Sequence, residues 1–441
     1  MNFFVIAWRN ITERKLASFL TGLSMALGVA AVVCVIVIHG IAVRQFEQDA
    51  GGYNFIVGGG GGRLQLVMST VYHLDQGPYP VDYQHYRSLV DGKYAGYIDV
   101  AVPYCLGDSY SHGKNKYRVV GTTPDLFDKL EYRNGKRYEF SSGRNFKREN
   151  FFEAVLGSIV ARQTGLKVGD LFNATHGLSA EGVVHEENAF KVVGILEPTG
   201  TANDRAMFVN LEGFFKLENH AADPPPEGTP QPETPDPGIP EVGYDNDGNP
   251  LEPLPENQRK VTSILVRCKH IAFAQVVSDT INKKEVGLQA VAPTAVITNM
   301  LEKLVAPARN ILFAMTLLIV LVAVIGIMVS IYNTMAQRSY DIGVMRALGA
   351  SRAAVHSIIL LEAVLLTLLG GIAGWALGHI MVGLAAPWVE HYSGVQISMW
   401  SFSPLELWIF PGLIAAALFG GLLPAFTAYN TDVAKALSGA R

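Results

Sequence analysis

Charge is what this sequence has least of: Asp, Glu, Lys and Arg make up 17% of its residues, against about 25% in an average soluble domain. A chain so depleted cannot keep its whole surface in water, so a purely soluble protein is disfavoured. Basic excess is missing too. The formal net charge is −4, which gives no sign of the basic face that nucleic-acid binding requires. Three cysteines are too few for a disulfide scaffold or a four-thiolate zinc site. The glycines and prolines follow no period, which excludes a collagen-like fibre. Catalytic motifs fail in similar ways. His185-Glu186-Glu187-Asn188-Ala189 breaks a zinc-protease motif at its second ligand, and Gly22-Leu23-Ser24-Met25 lacks the closing Gly of a nucleophile elbow. Residues 107–114 end in Gly-Lys but with one residue too many, and Asn115 follows. No catalytic, cofactor-binding or metal-ligating residue is therefore assigned to this chain.

What the sequence does have is long apolar runs. Residues 17–43 and 310–337 contain no Asp, Glu, Lys or Arg; 353–389 contains only Glu362; 407–431 contains none. Each exceeds the roughly 20 residues that cross a hydrocarbon core, and helix is the open element that can do so. Four transmembrane helices are expected, at 17–43, 310–336, 353–388 and 405–431. The first run is too long for the apolar region of a cleaved signal peptide. Arg9, Arg14 and Lys15 precede it, Arg338, Arg346 and Arg352 lie between the second and third runs, and Lys435 and Arg441 follow the fourth. The loop 389–404 has no Lys or Arg. By the positive-inside rule, residues 1–16, 337–352 and 432–441 face the cytoplasm, and 44–309 lies outside.

The outer insert alternates short strand-like runs (117–121, 154–157, 190–196, 206–209 and 262–267) with helical stretches at 158–164 and 271–284. That order reads as α+β. The fold class is thus a polytopic α-helical membrane protein with a large α+β extracytoplasmic domain between its first two helices. Residues 222–256 are rich in Pro, Gly and acid, and read as an exposed, partly disordered insertion. The run Gly58–Gly62 permits close backbone approach or a left-handed turn, and a flexible hinge is the favoured reading. Residues 43–50 and 294–306 continue the first two spans as helix, with a kink expected at Pro307. Cys105 and Cys268 could pair on the oxidising side, although two buried thiols is the preferred reading; Cys34 packs in the membrane. Within the spans Glu362 is the costly group, read either as an interhelical contact or as an interfacial carboxylate. His39 and His379 are expected to be interfacial.

The cytoplasmic loop reads Gln337-Arg338-Ser339-Tyr340-Asp341-Ile342-Gly343-Val344-Met345-Arg346-Ala347-Leu348-Gly349-Ala350-Ser351-Arg352. Ile342, Met345 and Leu348 fall at helical spacing, Gly349 is placed to end a turn, and Ser351 to cap the next helix. Its apolar side needs lipid or a protein groove. This segment resembles the coupling helix of the FtsX-like ABC transporter permeases of the macrolide-exporter and lipoprotein-releasing type, matching from Asp341 to Arg352 with Asp341 and Met345 as mild substitutions. The likeness continues through Ile358-Ile359-Leu360-Leu361-Glu362-Ala363 and Gly370-Gly371, and through Ala7-Trp8-Arg9-Asn10-Ile11 in an N-terminal amphipathic helix. Val119-Val120-Gly121, Lys167-Val168-Gly169-Asp170 and 190–196 resemble the outer core domain of the same family.

The resemblance implies that Asp341, Ile342, Gly343, Met345, Arg346, Leu348, Gly349, Ser351 and Arg352 couple the chain to an ATPase, and that Glu362 belongs to the family pattern. It implies a homodimer or heterodimer with a related permease in the bacterial inner membrane, contact with lipid, and room for a periplasmic partner. ATP-driven motion would pass along the first two helices to the outer domain. No Walker A sequence occurs in the 441 residues, so the ATPase, with its ATP and Mg, is expected on a separate polypeptide. The expected function is export or extraction of an amphiphilic substrate such as a lipoprotein, peptide or drug. The alternatives are cargo-free regulation of a cell-wall enzyme and a receptor or scaffold without ATPase.

Overall fold

The computed structural model describes residues 3–13, 15–48, 52–74, 76–133, 135–177, 184–217, 220, 236, 238–300, 302–303, 306–337, 344–393 and 398–429. The chain divides into two compact units. One comprises 1–43, 302–392 and 396–441, and the other is essentially 44–301.

The first unit is helical. Helix α1 (Phe3–Glu13) precedes the long α2 (Lys15–Gln48). Four helices among the described residues are long and apolar enough to cross a membrane, with spans at Ser18–Ile41, Arg309–Gly326, Arg352–Val389 and Pro404–Gly421. The second span's helix runs Ala306–Gln337, the third's Arg352–Ser393, and the fourth opens with a 3-10 turn (Pro404–Trp408) before Ile409–Tyr429. The first and third spans meet through small residues. A methyl group on Gly374 would lie 2.4 Å from the Ala26 carbonyl oxygen, one on Gly370 2.9 Å from that of Gly22, and one on Gly378 2.7 Å from Val33. Three glycines four residues apart thus let the two backbones approach, as small-residue stripes do between membrane helices. The kink expected at Pro307 adjoins residues 304–305, which lie outside the described residues. Pro307 stands in the first turn of its helix, where its missing N–H has no intrahelical role to lose.

The second unit is built on one eleven-stranded sheet. Its strands are β1 (Phe55–Gly59), β2 (Ile98–His112), β3 (Asn115–Thr122), β4 (Phe140–Gly143), β5 (Glu153–Leu156), β6 (Leu171–Phe172), β7 (Thr175–His176), β8 (Phe190–Leu196), β9 (Ala206–Asn210), β10 (Ser263–Cys268) and β11 (Leu288–Val291). The order is β11-β1-β10-β2-β3-β9-β5-β8-β4, with β7 on β2 and β6 on β8. Pairing is antiparallel except at β9–β3 and β8–β5. Both faces are covered. Successive residues belong to opposite cores: Val57 against Ile56, Val119 against Val120, Ala154 against Val155, Met207 against Phe208. This is the period-2 rule acting on a sheet with no wet face. Val160, Val277 and Ile281 of the helices Ser158–Thr164 and Ile271–Lys284 close one side; Leu66, Val67 and Ile297 close the other. The expected α+β architecture is observed.

One expectation needs correction. The Gly58–Gly62 run is no hinge, since Gly58 and Gly59 are ladder residues between β10 and β11. Glycine is needed there because a Cβ on Gly58 would meet Leu66 at 2.6 Å and one on Gly59 the Tyr79 carbonyl at 2.3 Å. The described part of the acid-rich insertion, Asp236 and 238–256, is tied to the unit: the Tyr83 hydroxyl donates to Asp236 at 2.9 Å, Arg148 donates to the Gly238 carbonyl, and Gly243-Tyr244 pairs with Pro250-Leu251. Residues 222–235 lie outside the described residues. The preferred reading of the two outer cysteines is observed: Cys105 and Cys268 are free, buried thiols. Cys268 stands opposite Ile98, seven residues along β2 from Cys105 and so about 20 Å away, whereas a disulfide needs Cα atoms within about 7 Å.

Candidate functional site

The loop between the second and third spans carries the sequence-predicted coupling residues. Asp341, Ile342 and Gly343 lie outside the described residues. Residues 344–347 form one helical turn. The Ala350 N–H bonds to the Met345 carbonyl at 3.0 Å and the Gly349 N–H to that of Arg346 at 3.1 Å, with Gly349 at φ +99°. These two bonds close a Schellman cap, whose left-handed residue is most cheaply a glycine. The Ser351 hydroxyl then accepts from the Ala354 N–H at 3.1 Å, capping the helix that begins at Arg352. Met345 and Arg346 are half-buried, while Leu348 stands at the turn's tip 84% exposed. An exposed leucine held on a rigid, doubly capped turn offers an apolar knob to a partner surface.

Two polar contacts lie among the helices. Glu362 is buried and accepts a hydrogen bond from the Asn10 amide of α1 at 3.1 Å. Ala7 and Ile11, on the same face of α1 as Asn10, are buried as well. His379, expected near the outer end of its span, is held by polar partners. Its ring is buried between the Met399 carbonyl (2.8 Å) and the Glu406 carboxylate (2.9 Å), and the Trp375 indole also donates to Glu406. The other Glu406 oxygen accepts from the Ser403 N–H at 2.7 Å, so the carboxylate is satisfied on several sides.

A third constellation sits in the sheet unit. Asp108, His176, His185 and His220 turn one ligand-type atom each toward a common point, all within 4.8 Å of one another. Burial pushes the Asp108 carboxyl up to about 7, against the pull of Arg118, and holds His220 down at about 4, with His185 and His176 adding to the effect.

Comparison with known proteins follows the same division. The family model of the FtsX-like permease C-terminal region matches residues 313–433, and that of the MacB-like periplasmic core domain matches 18–231. The chain belongs to the FtsX-like ABC transporter permeases. An uncharacterized ABC transporter permease of Methanocaldococcus jannaschii, MJ1507, is 21% identical over 98% of this permease and 96% of its own length. A probable export ATP-binding/permease protein of Pseudomonas fluorescens, Pfl01_2215, is 29% identical over 41% of this permease but only 28% of its own length. This FtsX-like permease thus spans little more than a quarter of that relative. The crystal structure of the periplasmic region of MacB from Actinobacillus actinomycetemcomitans aligns with a TM-score of 0.32 and 11% identity, over 58% of this chain and 95% of that one.

Sequence reasoning missed two groups in this permease. Glu406 falls just before an apolar run, and its partner His379 is nearly thirty residues away, so no local pattern joins them. The Asp108 cluster gathers residues from 108 to 220 with no ligand spacing to read. Its nearest signal was His185, set aside because the neighbouring zinc-protease pattern fails there.

Proposed function

We propose that this permease couples a cytoplasmic ABC ATPase to its outer domain, exporting or extracting an amphiphilic substrate such as a lipoprotein, peptide or drug at the outer leaflet. The observation that carries this reading is the capped turn at 344–349, with Leu348 projecting from it, within the matched permease region. ATP and Mg belong to the ATPase in this proposal. The proposal places both termini and the 337–352 loop in the cytoplasm of a cell with this chain in its inner membrane, from the Lys and Arg distribution. It further has two permease chains working as a pair.

On this reading the chain performs no bond chemistry itself. Its apolar turn sits in a groove of the ATPase and transmits that subunit's displacement. Burying Leu348 contributes about 1.5–3 kcal/mol, and Arg346 adds a charge beside it. The test is co-purification with an ABC ATPase co-expressed with this permease. Leu348→Glu and Arg346→Glu should each reduce the recovered ATPase at least tenfold while membrane insertion and permease yield stay constant. Undiminished recovery with both variants rejects the coupling role.

A further inference from the structure

Asp108 lies on β2 where the ladder to β3 shifts register between Leu106 and Asp108. That irregularity turns the carboxylate inward, and its residue is fully buried. Neither of its oxygens has a hydrogen bond of good geometry among the described residues, the Gly177 N–H being the one backbone donor close enough to favour its charged form. A buried carboxylate left in that state costs far more than a satisfied one. Three imidazoles face it instead. His176 is its ladder partner on β7, and its Nδ1 is 3.4 Å from Oδ1. His185 Nε2 and His220 Nε2 are 3.4 and 3.2 Å from Oδ2. The three rings stand edge-on to one another, with centroids 5.3 to 6.0 Å apart.

These separations decide between two readings. A charge-assisted Asp–His hydrogen bond shortens to about 2.7–2.9 Å, and one such bond would satisfy the pair. Here three nitrogens converge and none closes to that range. Tetrahedral zinc with bonds near 2.0 Å places its ligand atoms about 3.3 Å apart; each ring nitrogen lies 3.2 to 3.4 Å from one or other carboxylate oxygen, in a set that spreads to 4.8 Å. The backbone holds this arrangement. The Gly177 N–H donates to the Gly107 carbonyl, and the Gly177 carbonyl accepts from the Ser109 hydroxyl at 2.7 Å. The His185 N–H returns to the Ala174 carbonyl, and its own carbonyl accepts from the Asn173 amide at 2.6 Å. The His220 ring packs edge-on against Phe214 at 4.5 Å.

We propose that Asp108, His176, His185 and His220 form a four-ligand site for a divalent first-row transition metal ion, zinc by its donor set, which ties β2, β7, His185 and His220 together. Three imidazoles and one carboxylate suit zinc and its neighbours, whereas calcium and magnesium take six or more oxygens. The protein fills all four positions, so the ion is structural and has no open coordination site for catalysis. His176, whose side chain is half exposed, is the ligand through which the ion enters and leaves.

The test uses the full-length permease in detergent, purified without a histidine tag, stripped with chelator and titrated with zinc. The expected result is one tightly held zinc per chain by elemental analysis, and intense visible absorption typical of tetrahedral coordination when cobalt(II) replaces zinc. Removing the exposed ligand in His176→Ala, which leaves the buried core intact, should weaken zinc at least about tenfold. The double variant His185→Ala/His220→Ala should lose it. His112→Ala, exposed on the same strand, should bind as the parent does. Less than 0.2 zinc per parent chain at micromolar free zinc overturns the proposal, as does unchanged binding in the double variant.

Discussion

The buried ion pair of the outer unit offers a prediction whose size can be worked from contacts. Arg259 is 1% exposed and grips Glu212 with both guanidinium arms, at 2.5 and 2.9 Å. Its Nε donates to the Leu254 carbonyl at 2.8 Å, and its guanidinium lies against the rings of Tyr83 and Phe215. Glu212 is fixed in turn, because the Asn210 side chain caps its helix by accepting the Glu212 N–H at 2.9 Å. Arg259→Met keeps most of the volume but strands a buried carboxylate, which costs about 3–5 kcal/mol. Cys105 reports the loss. Its thiol is buried and donates to the carbonyl of Lys260, the residue after Arg259, and burial pushes its pKa up, so it reacts only when the unit opens. In a Cys34→Ala/Cys268→Ala background it is the sole thiol. Since about 1.4 kcal/mol is a factor of ten, Arg259→Met should speed its labelling about 100- to 4,000-fold. Adding Glu212→Leu, which leaves no charge to strand, should bring the rate back to within about tenfold of the parent. A change below about fivefold in the single variant refutes the reasoning.

Three further outcomes follow from other contacts. The His73 ring donates to Asn203 at 2.9 Å and packs edge-on to Phe208, and burial lowers its pKa to about 4. The unfolded chain therefore takes up this proton first, and stability that is whole above pH 6.5 falls by about 2–3 kcal/mol as pH drops toward 4. Hydrogen exchange of β9 at pH 7, 5.5 and 4.5 should show that loss, and His73→Asn, which suits the residue's φ of +56°, should flatten it. Gly374→Leu should destabilise the helical unit by about 1–3 kcal/mol or more through overpacking against Ala26. Tryptophan fluorescence reads this directly, because all five tryptophans lie outside residues 44–301; an unchanged melt counts against the close crossing. A cysteine at Leu348→Cys should label from the inner side of sealed vesicles and resist labelling from outside; the reverse result inverts the proposed topology.

The parts of the fold legible in sequence are those where local pattern and tertiary role agree. The runs 190–196 and 263–266 are β-rich between turn residues, and both are buried strands; 158–164 and 271–284 show helical patterning and are helices. The Gly-rich start of the outer unit misled because glycine's freedom is identical whether used for motion or for close approach, and only Leu66 and Tyr79 settle which. The capping roles of Gly349 and Ser351 could be read because a cap is local. Asp108 could not be read, because its meaning depends on three histidines that the sheet and two loops deliver from elsewhere.

The place of β1 and β11 in the sheet has a mechanical consequence. They are neighbours in register, Ile56 beside Val291 and Gly59 beside Leu288, so the polypeptide arrives and departs at the same end of one ribbon. Equal tugs on the two tethers would carry the whole unit as cargo on a hook, loading no internal bond. Unequal tugs would shear this single ladder before any other part of the sheet was strained, making it the natural fuse between the tethers.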